Sequence, residues 1–207
     1  MSQYNTSSTA KKAPLNHELY MSVLMTPDMA NFIGNVHGGD LLKMLDQVAY
    51  ACASRYSGSY VVTLSVDQVM FREPVYVGEL VTFAASVNYV GKTSMEVGIR
   101  VEAEDVRART VRHTNSCYFT MVAIDDNGKP TPIPELEIKN PMQQCRFDAG
   151  LERKKMRMED SHRPSCGIDE MISEDLGGKN KTDHDTADGY MVGELTTHQS
   201  NSKKDTL

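Results

Sequence analysis

The four cysteines of the chain, Cys52, Cys117, Cys145 and Cys166, never stand in Cys-x-x-Cys pairs and have no histidines beside them at zinc-ligand spacing. A metal knuckle and a disulfide framework are excluded as organising elements, and Cys52 and Cys117 read as small core residues. No apolar run approaches the roughly 20 residues that a membrane span needs. Residues 1–12 are polar and lack the apolar centre of a secretory signal, so a cytoplasmic location is expected. Basic charge is short as well: 22 lysines and arginines stand against 28 acids, a net charge of −6. That excludes a general nucleic-acid coat, and a polyanionic ligand would need a local basic patch.

What is present is one stretch of unusual density. Gly34-Asn35-Val36-His37-Gly38-Gly39-Asp40 leads at once into Leu41-Leu42-Lys43-Met44-Leu45-Asp46-Gln47-Val48-Ala49-Tyr50-Ala51-Cys52-Ala53. Adjacent glycines at a helix entrance leave backbone N–H groups bare where four donors lack partners and the dipole favours negative charge. An anion or a developing oxyanion fits there. Along the helix, Leu41, Leu45, Val48 and Cys52 make one apolar row, and Leu42, Ala49 and Ala53 a second. Asp46 falls in the second row, so the spacing predicts a carboxylate among apolar neighbours, and such a group needs a partner or a chemical role.

The 207 residues suit one domain with extensions. Segment 1–14 is rich in Ser, Thr and Lys and is expected to be flexible. Strands are expected over 19–25, 60–71, 79–90, 94–103 and 111–124, each rich in Val, Thr, Phe or Tyr and bounded by Gly, Pro or Asp. Short links between successive strands require antiparallel pairing. With one long buried helix this gives an α+β domain over 15–139 in which the sheet wraps the helix. Pro130, Pro132 and Pro134 lead the chain out of the sheet. From 151 to 207 nine basic residues face twelve acids without helix or strand period. Segment 140–207 therefore reads as a charged, largely disordered tail, with room for a short charged helix over 137–158.

Asn35-Val36-His37-Gly38-Gly39, Lys43-Met44-Leu45-Asp46, Val61-Val62-Thr63, Phe71-Arg72-Glu73-Pro74-Val75, Val77-Gly78-Glu79, Gly91-Lys92-Thr93-Ser94 and Val122-Ala123-Ile124-Asp125 follow in that order. Over 15–136 the chain so resembles the hotdog-fold acyl-CoA thioesterases, in the branch of the cytosolic (brain-type) acyl-CoA hydrolase and its bacterial YciA-type relatives. Several motifs in sequence are far more specific than a lone Gly-Gly pair.

The resemblance implies hydrolysis of a fatty acyl-CoA thioester to free CoA and a carboxylic acid, on an antiparallel sheet wrapped around one central helix, with no metal and no cofactor. Asp46 then acts as general base on water or as nucleophile on the thioester carbonyl, and apolar surroundings would strengthen it in either role. Gly39 offers its N–H to the carbonyl oxygen as charge grows there. Asn35 supplies an amide to that oxygen or to the water, although asparagine also suits a cap or turn. His37 reads as a loop residue touching ligand or partner subunit. Gly38, Lys92, Thr93 and Ser94 are the candidate CoA contacts, since a turn with a lysine and two hydroxyls donates well to phosphate. Arg107, Arg109, Arg112 and His113 offer more positive charge or a solvated strand end. A homodimer or trimer of dimers, with sites at the seam, is implied. A non-catalytic acyl-CoA-binding protein and a thioesterase acting on acyl carrier protein are the alternatives.

Overall fold

The computed structural model describes residues 16–160. Readings that concern 1–15 and 161–207, Cys166 among them, lie outside the described residues. Strand β1 (Glu18–Leu24) is followed by a 3-10 turn (Pro27–Met29), helix α1 (Gly38–Ser57), strands β2 (Tyr60–Val66), β3 (Leu80–Val90), β4 (Ser94–Asp105) and β5 (Thr110–Ile124), and helix α2 (Pro141–Asp160). Every neighbouring pair is antiparallel, in the order β1-β3-β4-β5-β2. No helix of the described residues is long and apolar enough to cross a membrane.

Alternation along the strands decides what lies on each face of the sheet. Val81, Phe83, Ala85 and Val87 on β3, Met95, Val97, Ile99 and Val101 on β4, and Cys117, Phe119 and Met121 on β5 bury against Leu45, Val48, Ala49 and Cys52 of α1. Each large side chain so buried contributes about 1.5–3 kcal/mol. The helix stops at Gly58, whose φ of 69° is the left-handed conformation that glycine adopts freely, and whose N–H closes on the Ser54 carbonyl.

The opposite face is covered by α2, through charge and rings rather than an apolar stripe. Glu96 points there, between the core residues Met95 and Val97, and is 1% exposed. Arg153 donates to both its oxygens, at 2.6 and 2.9 Å, and the same guanidinium lies 3.6 Å over the Tyr118 ring. Tyr89 and Phe147 meet with ring centroids 5.0 Å apart. Gly150 lets the helix come close: a Cβ there would stand 2.8 Å from that of Tyr89.

Two sequence expectations change. Strand β2 ends at Val66 instead of running to 71: the Asp67 N–H still reaches the Tyr118 carbonyl, but its carboxylate is taken by Arg157 at 2.7 Å, and the chain leaves the sheet. The segment from 140 on does not begin as a disordered tail, for its residues 141–160 are a helix docked on the sheet.

Candidate active site

Asp46 is exposed, near the middle of α1 and beside edge strand β2. The expected burial among apolar neighbours is not found. Leu42, one turn earlier, is 41% exposed, so the second apolar row is the rim of the helix and not a core stripe. What Asp46 has instead is a partner: the Thr63 hydroxyl donates to its Oδ1 at 2.6 Å, the short distance of an O–H to carboxylate bond. Asp46 also borders a cavity of about 320 Å³, together with Gln47, Thr63 and the edge-on pair Tyr50 and Tyr60, whose centroids are 5.8 Å apart.

The loop before α1 is organised by Asn31. Its Oδ1 accepts the N–H groups of Ile33 at 3.0 Å and Asn35 at 3.1 Å, while its main chain closes on the Asn35 carbonyl at 2.6 Å and the Gly34 N–H at 3.0 Å. Gly34 turns the chain at φ 87°. The Asn31 amide NH2 makes no hydrogen bond among the described residues, so one donor remains to offer. Asn35 is held by its main chain, bridging Tyr76 as well, and it does not border the Asp46 cavity.

That loop hangs on segment 74–79, because the Val36 N–H donates to the Val75 carbonyl at 2.8 Å. Buried Glu79 clamps the segment, accepting from the Tyr76 N–H at 2.8 Å and from both Nη atoms of Arg112, which also donates to the Pro74 carbonyl at 2.6 Å. The Glu79 carboxylate raises the pKa of Arg112 above its ordinary value in spite of burial. Arg112 is therefore committed to the scaffold and is not the phosphate-seeking charge that its sequence neighbourhood suggested.

His37 caps α1. Its Nδ1 accepts the Gly39 N–H at 2.9 Å, so this donor is not bare as the glycine pattern predicted. It becomes available to a ligand only when the imidazole turns aside. Gly38 opens the helix with the Phe71 ring near, 3.7 Å from where its Cβ would be. Lys92, Thr93 and Ser94 form the β3–β4 turn, closed by the Gly91 N–H on the Ser94 carbonyl at 2.8 Å. They line a separate cavity of about 380 Å³ on the α2 face. The candidates thus fall in three places, which one chain does not bring together: Asp46 at the β2 edge, Asn35, Gly38 and Gly39 at the helix entrance, and Lys92 to Ser94 in the turn.

Two side chains escaped sequence reasoning. Thr63 is legible only once β2 is laid beside α1. Asn31 had a local signal, an asparagine two and four residues before N–H groups in a glycine turn, which is where such a side chain closes on its own backbone.

Residues 33–109 match the model of the thioesterase superfamily. Protein VdlD of Helicobacter pylori is 55% identical over 140 residues, 68% of this chain and 80% of that protein. A hexameric hotdog fold thioesterase of Campylobacter jejuni superposes with a TM-score of 0.52 at 32% identity, over 55% of this chain and 88% of its own. The chain belongs to the hotdog-fold acyl-CoA thioesterase family. The acyl-CoA hydrolase of Staphylococcus aureus, solved with butyryl coenzyme A and coenzyme A, is a further structural relative at TM-score 0.64 and 28% identity, covering 78% of this chain and 96% of that one. Alanine variants of one asparagine, one aspartate and one threonine of that hydrolase have also been solved, the asparagine 15 residues before the aspartate and the threonine 17 after it.

Proposed function

We propose that this chain hydrolyses acyl-CoA thioesters, with Asp46 as the acid at the reacting carbon, Thr63 orienting it, and an amide of the entrance loop binding the thioester oxygen. The observation that carries the reading is the 2.6 Å bond from Thr63 to Asp46 at the mouth of a cavity, on a fold of this family. With one carboxylate oxygen held by the hydroxyl, the other is left for the chemistry. As general base it takes a proton from water, whose oxygen bonds to the carbonyl carbon; the C–S bond then breaks and the CoA thiolate leaves with a proton. As nucleophile the same oxygen bonds to the carbonyl carbon directly, the C–S bond breaks and the CoA thiolate leaves, and water later cleaves the anhydride. A single turnover in ¹⁸O-labelled water, read by mass spectrometry of the Asp46 peptide, tests the nucleophile route: label in the Asp46 carboxylate requires an anhydride opened at the Asp46 carbonyl, and the base route never labels the protein.

For the amide, spacing favours Asn31 over Asn35. Asn31, Asp46 and Thr63 stand 15 and 17 residues apart in this chain, as do the three substituted residues of the Staphylococcus aureus hydrolase. Asn31 also has the unpartnered NH2. Gly39 remains the backbone donor, released when His37 swings off, and Gly38 lets the ligand approach the helix end. The cytoplasm is the compartment that goes with CoA thioesters and free thiols.

A homodimer, in the trimer-of-dimers arrangement or alone, goes with the site. Phe32, Ile33, Tyr60, Met70 and Phe71 are all exposed around the entrance loop and the β2 edge. Such a collar on an unpaired strand edge is what a second copy covers. Free-thiol release from a panel of acyl-CoA thioesters, short to long and aromatic, tests the function. Wild type is expected to release CoA and Asp46→Ala to lose at least about 10²-fold in kcat. No release by a folded wild type that binds CoA would overturn the enzyme reading.

A further inference from the structure

The cavity that Asp46 borders is walled mostly by rings and methyls. Beyond the acid, Thr63 and the Gln47 amide, its lining is Tyr50, Tyr60, Val61 and Val62. Among the described residues no lysine or arginine borders it. The phosphorylated end of CoA would find no counter-charge there, whereas an uncharged, ring-lined space beside the acid suits an acyl group. Two elements place the rings. Tyr50 follows Asp46 by four residues on α1, so it lies on the same face one turn further on. Tyr60 opens β2, and its ring meets that of Tyr50 at an interplanar angle of 66°, an edge-on geometry that aromatic pairs favour. Tyr50 is 40% and Tyr60 59% exposed, so neither ring is there to fill the core. Other large side chains near α1 are committed elsewhere: Met44 and Met95 are buried in the core, and Phe71 stands by Gly38 at the helix entrance.

We propose that the Tyr50–Tyr60 pair ends the acyl-chain pocket and restricts this chain to short acyl groups, butyryl and hexanoyl rather than decanoyl and longer. One helical turn, about 5.4 Å, separates the acid from the first ring, and about four carbon–carbon bonds of an extended chain span that distance. With the carbonyl carbon at Asp46, a butyryl or hexanoyl tail therefore fills the space up to the rings. A longer tail meets the ring edges and has to turn out of the cavity, leaving its far methylenes in water, where they add no affinity. The volume of about 320 Å³ is at the low end for a ligand pocket and agrees with a short tail. The inference rests on the proposed thioesterase function, which puts the thioester carbon at Asp46, and adds to it the class of substrate. The tyrosines touch the tail and not the reacting atoms, so they set specificity and carry no chemical step.

The test compares the full chain with its Y50A/Y60A and Y50F/Y60F variants on butyryl-, hexanoyl-, octanoyl-, decanoyl- and lauroyl-CoA, assayed by thiol release. Binding of the matching S-alkyl-CoA thioethers, which cannot be hydrolysed, is followed by calorimetry. Wild type is expected to have its highest kcat/KM on butyryl- or hexanoyl-CoA and to fall about tenfold or more by decanoyl-CoA, the scale on which an apolar pocket discriminates methylenes. Y50A/Y60A should move the optimum to octanoyl- or decanoyl-CoA, a gain on long tails that damage to fold or assembly does not produce. Y50F/Y60F should keep the wild-type optimum, because the ring and not the hydroxyl stops the tail. A wild type as active on lauroyl- as on butyryl-CoA, or an optimum that Y50A/Y60A leaves in place, would overturn the assignment while leaving the thioesterase intact. Thioether affinity that is independent of tail length would overturn it whatever the turnover. If wild type hydrolyses no member of the series, but its thioether affinity rises only as far as hexyl and that of Y50A/Y60A goes on rising, the pocket stands and the thioesterase reading falls.

Discussion

Thr63 and Asn31 are each one hydrogen bond away from a testable chemical role. Thr63→Val removes the donor to Asp46 and keeps the volume, and loss of a charge-assisted bond of this kind is worth about 1.5–3 kcal/mol. We expect kcat to fall about 10- to 100-fold with little change in KM, read from steady-state thiol release. Asn31 needs a sharper substitution, because its oxygen builds the loop while its NH2 is the proposed donor. Asn31→Asp keeps both acceptor bonds and removes the donor. Its Tm should stay near wild type while kcat drops at least about 10²-fold, the usual cost of an oxyanion donor. If Asn35→Ala has the larger effect, the amide is Asn35 after all. The cysteines make a further residue-scale prediction. Burial pushes the Cys52 and Cys117 thiols up to about 12, so at neutral pH neither presents thiolate. Alkylation of the native protein followed by peptide mapping should mark exposed Cys145 and spare those two until the chain is unfolded.

At the scale of elements, the core was legible and the cover was not. Richness in Val, Thr, Phe and Tyr between Gly, Pro or Asp clusters placed strands at 79–90 and 111–124, within a residue of β3 and β5, because such side chains suit a pleated face packed on α1. Reading Asp46 as buried failed for a related reason: a helix at the open edge of a sheet has a rim, and Leu42 on that rim looks in sequence like a core leucine. Helix α2 was underrated because it docks through Arg153, Arg157 and Phe147, and charge pairing has no periodic signature. The pairing predicts its own fragility. Glu96 is 1% exposed, so removing Arg153 leaves a buried carboxylate with no more than Arg157 at 3.6 Å and the Asn88 amide at 3.4 Å. Arg153→Ala should cost about 3 kcal/mol in chemical denaturation, at the low end for a broken buried pair because the arginine side is 23% exposed. Glu96→Gln together with Arg153→Met should recover most of that loss, which tells a charge penalty from a packing one.

At the scale of the whole molecule, one chain keeps the residues of the proposed site apart. Asp46 and Thr63 stand at the β2 edge, whereas Asn31, Gly38 and Gly39 stand at the helix entrance and border no part of the Asp46 cavity. A two-fold dimer pairing β2 with a second β2 would set one subunit's acid beside the other's loop, since the same patch serves both copies. Subunit mixing decides it. Asp46→Ala and Asn31→Asp chains, each inactive alone, are denatured together, refolded in equal amounts and assayed. If the acid and the amide of a site come from different subunits, a mixed dimer holds one intact site and one doubly impaired site. Random pairing makes half of all dimers mixed, so activity should return to about a quarter of wild type per chain. If both residues serve the site of their own chain, every mixed site lacks one of them and the mixture stays inactive. Size-exclusion chromatography with light scattering on the same samples must show assemblies of wild-type size, so that a silent mixture counts against the shared site and not against refolding.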